Sequence, residues 1–147
     1  NGASIMGNGK DAVTTIADKT LPLTGSVADV TAPSGYSVAF TTDPVNSANY
    51  TAAAFQFAGA EIGATYSYTI SSSGGGTPVT GTGTISTATD TISAINTTGL
   101  TDGTLTVSVT LTDTSSNAGT AVTDTVVKDI VAPTVTSITF TNGTYEP

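Results

Sequence analysis

Thr104-Leu105-Thr106-Val107-Ser108-Val109-Thr110-Leu111-Thr112 alternates hydroxyl and aliphatic side chains without a break. Successive side chains of a strand point to opposite faces, so Leu105, Val107, Val109 and Leu111 make one apolar row and Thr104, Thr106, Ser108, Thr110 and Thr112 a hydroxyl row. At about 100° per residue a helix would scatter the same residues around its whole circumference. The stretch therefore predicts a strand with one face in a core and one face in water.

Outward from it, the same reading yields six further strands, each bounded by Gly, Pro, Asn or Asp. They span 36–41, 53–58, 64–71, 78–86, 91–95 and 120–128. Phe55 and Phe57 share one face with Gln56 opposite, and Tyr66, Tyr68 and Ile70 share another, with Ile85, Ile92 and Ile95 as further core candidates. Gly74-Gly75-Gly76 reads as a flexible hairpin tip, and Ser115 to Gly119 as the turn of the last hairpin. Seven short antiparallel strands at this spacing predict an all-β chain folded as an immunoglobulin-like β-sandwich, with a barrel as the competing architecture.

Composition excludes most chemistry. Thr fills about a fifth of the 147 residues, and the chain has no His, no Cys and no Trp. Without imidazole or thiolate there is no Ser-His-Asp or Cys-His pair and no nitrogen or sulfur zinc site, so an enzyme is not expected. The formal charge is -8, and Lys10, Lys19 and Lys128 are the only cations. A chain so poor in positive charge is not expected to bind nucleic acid or an anionic membrane surface. No stretch approaches the roughly 18 apolar residues of a membrane span, and any export signal is expected outside this segment. A Thr-, Ser- and Gly-rich, Arg-free, disulfide-free β chain fits an exported bacterial protein, extracellular or at the cell surface.

An internal repeat sets the domain boundaries. Asp29-Val30-Thr31-Ala32-Pro33 is answered one hundred positions later by Asp129-Ile130-Val131-Ala132-Pro133, and Ser37-Val38-Ala39-Phe40 by Ser137-Ile138-Thr139-Phe140. Residues 1–32 then read as the tail of a preceding repeat plus its linker, 33–132 as one repeat, and 133–147 as the first strand of a following repeat. Val13, Ile16, Leu21, Leu23 and Val27 belong to that expected tail.

Several of these residues carry a resemblance. The linker Asp129 to Pro133 and the runs Phe55-Gln56-Phe57-Ala58-Gly59-Ala60-Glu61-Ile62-Gly63-Ala64-Thr65-Tyr66, Ile70 to Gly76, Gly99-Leu100-Thr101-Asp102-Gly103-Thr104-Leu105 and Thr112 to Gly119 resemble the bacterial Ig-like repeats of giant surface adhesins and biofilm-associated proteins. The resemblance covers residues 29–133. It implies a structural extender that holds adhesive domains away from the cell. The terminal module fragments point to neighbouring repeats of the same chain, or other copies in a fibre, as expected partners. The resemblance also implies calcium at the junctions between repeats.

Calcium takes roughly six to eight oxygen ligands. Linker carboxylates Asp29 and Asp129, with Asp113 at the last hairpin, are the candidate ligands, and Glu61, Asp102 and Asp43 rank second. The competing reading is that Asp in such positions caps turns without a metal. Neither an EF-hand spacing nor a calcium-binding nonapeptide is present. A glycan- or protein-binding module acting through the loops 60–63 or 74–76 is the alternative function. The Thr104 to Thr112 row alone is an isolated row and does not make an extended hydroxyl surface for ice, crystal faces or glycan. The sequons at Asn49, Asn96 and Asn142 are at chance level in so Thr-rich a chain. Unpaired terminal segments also leave strand addition between copies open.

Overall fold

The computed structural model describes residues 28–139. Most of the expected preceding tail, Val13 to Val27 included, and the sequon at Asn142 lie outside the described residues. All regular structure within them is β. The strands are β1 (Ser37–Phe40), β2 (Val45–Asn46), β3 (Ala53–Ala58), β4 (Thr65–Ser72), β5 (Val79–Thr84), β6 (Thr91–Ile95), β7 (Gly103–Thr112) and β8 (Val122–Asp129). They form two sheets, one ordered β1-β3-β6 and the other β2-β8-β7-β4-β5.

The inner faces of the two sheets meet in one core, as the period-2 patterns require. Leu105, Val107, Val109 and Leu111 are fully buried, and Phe55, Phe57, Ile70, Ile85 and Ile95 pack with them. Phe55 sets its ring edge-on to Tyr68 at 5.3 Å and to Phe57 at 5.7 Å, which ties the small sheet to the large one. Tyr66 and Tyr68 face inward but stay half-buried. Their rings lie across β5, where a Cβ on Gly81 would come within 2.5 Å of the Tyr68 ring and one on Gly83 within 2.5 Å of the Tyr66 hydroxyl. That close approach explains the alternation Thr80-Gly81-Thr82-Gly83-Thr84: hydroxyls face out, and glycine leaves room for a neighbour's ring.

Three expectations need correction. The strands number eight rather than seven, and one pairing is parallel: β2 runs alongside the end of β8, Val45 opposite Lys128 and Asn46 opposite Asp129. The chain crosses from one sheet to the other between Phe40 and Val45, and a two-residue strand with a single core residue shows no alternation to read. The triple glycine is pinned and not free. Thr101 N–H donates to the Gly75 carbonyl and Thr77 N–H to that of Gly99, and Gly76 adopts φ 100° where a Cβ would stand 2.3 Å from the Gly99 oxygen. Glycine is required there by close backbone approach.

The Thr104 to Thr112 row is also not isolated. Register places Thr84, Thr65 and Thr112 side by side, then Thr82, Ser67 and Thr110, then Thr80, Thr69, Ser108 and Thr123, then Ser71, Thr106 and Thr125. The outer face of β5-β4-β7-β8 is therefore a field of hydroxyls from four strands that alternate in the same phase, interrupted at its Thr104 end by exposed Val127.

Candidate functional site

The two linkers leave from opposite ends of the long strand β7, whose ten residues span roughly 30 Å. At the entry end, Asp29 Oδ1 accepts the Thr31 N–H at 2.9 Å, a short Asp-based turn that holds the incoming linker. The hairpin between β7 and β8 grips it from the other side, where Asn117 Nδ2 donates to the Asp29 carbonyl at 3.0 Å and to Asp113 Oδ2 at 2.8 Å. Asp113 itself is buried, and its Oδ1 accepts the N–H groups of Ser115 and Asn117, each at 2.8 Å. The Asn117 amide, then the backbone N–H donors, hold the Asp113 carboxyl below its ordinary pKa against the opposing effect of burial.

Tyr36 anchors the root of this linker. Its hydroxyl donates to the Thr120 carbonyl at 2.6 Å and accepts the Leu111 N–H at 3.2 Å. The β7–β8 pairing ends at Val109 and Val122, so the phenol fills the ladder position that β8 no longer reaches. The crevice beside it is lined by Pro33, Ser34, Gly35, Thr120 and Val122, none of which titrates.

At the exit end, Asp129 Oδ1 accepts the Val131 N–H at 3.0 Å, repeating the Asp29 turn, and Asp102 Oδ2 accepts the Ile130 N–H at 3.0 Å. Asp102 Oδ1 is buried with no hydrogen-bond donor. Lys128 is buried beside this loop: its Nζ donates to the carbonyls of Thr97, at 2.9 Å, and Leu100, and lies 5.8 Å from the Tyr50 ring centre. An ammonium on β8 thus organises the 97–102 loop that presents Asp102 to the linker.

The expected ligands divide accordingly. Asp29 and Asp113 meet at one end through Asn117, Asp129 lies at the other, and Asp102 stands beside the Asp129 linker. Glu61 and Asp43 are exposed in loops of their own. No group of three or more acidic residues converges among the described residues, and Asp113 already spends its oxygens on N–H donors. The described residues alone do not bring together the roughly six to eight oxygens that calcium takes. Sequence reasoning missed Asn117 and Lys128. The available signals were the spacing of Asp113 and Asn117 across one turn, and the phase of β8, in which Val122, Asp124, Val126 and Lys128 share the inward face.

No helix among the described residues is long and apolar enough to cross a membrane. No protein-family model matches the chain, and no curated protein matches it. Among solved structures, the crystal structure of a tetra-tandem repeat in the extending region of a large adhesion protein is similar, at 26% identity over 62% of this chain and a TM-score of 0.45. The matched part is 23% of that chain's length, and the likeness is too loose to carry an argument.

Proposed function

We propose that the chain carries one spacer repeat of a tandem array in a bacterial cell-surface adhesin or extracellular filament, a structural and non-catalytic role outside the cell. The placement of the linkers carries this reading: two segments related by one hundred residues, folded into the same Asp-based turn, leave from opposite ends of a sandwich. A module joined that way adds its long dimension to the array at each repetition. The immunoglobulin-like classification belongs to the same proposal. It is supported by the two facing sheets, whose first segment is divided between β1 in one and β2 in the other.

Neighbouring repeats of the same chain, or other copies in a fibre, are the proposed partners. Val38 is 7% exposed in the core, whereas Ile138, its equivalent one hundred residues on, is 72% exposed. An apolar residue of strand type left in water fits a segment whose sheet belongs to the next repeat. Calcium enters this proposal only at such a junction, where Asp129 and the undonated oxygen of Asp102 from one repeat would be joined by oxygens of the next.

The alternative is recognition of glycan or protein by end loops: Glu61 and Ile62 in one loop and Gly74 to Gly76 in the other are exposed, the second braced by backbone hydrogen bonds to residues 99 and 101. The exchange of residues 33–132, in the protein that contains them, for an unrelated β-sandwich of equal length discriminates the two. Adhesion by the parent cell is retained if the repeat is a spacer. Its loss on exchange would favour the binding module.

A further inference from the structure

Asp29 and Asp129 occupy equivalent places in two linkers of the same local conformation, and each linker is held by this repeat through a different atom of the same peptide unit. In the incoming linker the carbonyl of Asp29 is taken, by Asn117. In the outgoing linker the N–H of Ile130 is taken, by Asp102. Carbonyl 29 and N–H 30 belong to one peptide bond, as do carbonyl 129 and N–H 130. In a trans peptide the carbonyl and the N–H point in opposite directions.

We infer that Asp102 and Asn117 are two jaws of one clasp, and that at each junction a single linker peptide is gripped from both sides by consecutive repeats. Its N–H goes to Asp102 of the repeat it leaves, and its carbonyl to the Asn117 of the repeat it enters. Asp113 is a positioning residue in this arrangement: by accepting the second N–H of the Asn117 amide it fixes which way that amide points. Lys128 does the same for the other jaw by ordering the loop before Asp102. A peptide plane held on both edges cannot rotate without breaking one bond, so the clasp sets both bend and twist between repeats. It does so with groups already in the chain, through Asp102 Oδ2. The inference rests on the tandem-spacer reading and adds to it a specific partner surface, the hairpin end of another copy of this repeat.

The test uses the whole chain with a second copy of residues 33–132 inserted after Ala132, so that Asp129–Ile130 becomes an internal junction. The sequence has no Cys, so Thr82→Cys in both copies gives two spin-label sites on the outer face of β5. Pulsed dipolar spectroscopy in EDTA is expected to show a narrow distribution near the length of one repeat, roughly 40 Å. Asp102→Ala in the first copy, or Asn117→Ala in the second, is expected to widen it about twofold, as a linker freed to bend would. Asp102→Asn, which keeps an acceptor oxygen, restores the narrow width. Melting of each variant confirms that both copies remain folded, and Asn117, in a turn, serves where Asp102→Ala proves too destabilising. A width unmoved by both alanine variants, or narrow only when calcium is added, overturns the clasp and leaves the spacer standing. A mean distance well short of one repeat overturns the spacer reading itself.

Discussion

Tyr36→Phe removes one oxygen from the core and leaves every ring contact in place, so its effect isolates the bridge between the linker root and the last hairpin. The phenol serves the Leu111 N–H, which is buried, and the Thr120 carbonyl, which is near the surface. Loss of one partner from a buried donor costs about 1–3 kcal/mol, more than the net worth of an average hydrogen bond, because the remaining group stays desolvated. With a urea dependence of about 1–3 kcal/mol per molar for a domain of this size, the unfolding midpoint should fall by roughly 1 M with its slope unchanged. Tyr66→Phe is the control, since that ring is half-buried on the same core, and it should stay within about 0.5 kcal/mol of the parent. Equilibrium urea unfolding followed by tyrosine fluorescence or far-ultraviolet circular dichroism reads both. Equal midpoints for parent and Tyr36→Phe would refute the claim that the hydroxyl completes the β7 ladder.

Leu105→Ala in the central strand should cost about 2–5 kcal/mol in thermal melting, since the side chain is fully buried between the sheets. Gly76→Ala should destabilise by about 1–3 kcal/mol, because the backbone is left-handed there and the new methyl meets the Gly99 carbonyl; an unchanged melting temperature would contradict the pinned-loop description. Acid should weaken the fold through two carboxyls. The Asp90 carboxyl is pushed down from 3.8 to about 2, first by the Ser86 N–H and then by the Thr87 hydroxyl, and Asp113 is lowered as well. Both take up protons more readily unfolded than folded, so their contribution is complete above the ordinary value and is lost as pH falls toward 2. Asp90→Ala should flatten the pH dependence of the melting temperature in that window, and a profile identical to the parent's would count against this assignment.

The sandwich was legible where a strand has one wet and one dry face. The strands at 53–58 and 91–95 have the limits that their alternation implies, and the long strand begins one residue earlier than its pattern, at Gly103. β2 was not legible, because Val45 is a lone apolar residue between Pro44 and Asn46 and its pairing is decided by where β8 ends. The hydroxyl field was half legible: each strand shows its own alternation, but only the pairing register reveals that all four phases agree. At the ends of the module, sequence alone pointed to acidic residues and weighed them as metal ligands or turn caps. Asp29, Asp113 and Asp129 accept N–H groups of their own turns. Asn117 and Lys128 escaped notice because their roles depend on residues 88 and 31 positions away, separations at which only the fold brings partners together.

The central claim is that the repeat adds length along one axis. Small-angle scattering from the chain with none, one and two extra copies of residues 33–132 measures this directly. The largest dimension should rise by roughly 40 Å per copy, the length of β7 plus a linker, with the cross-sectional radius constant. An increment that shrinks with each copy, or a cross-section that grows, would mean that the repeats fold back on one another, and would contradict the account.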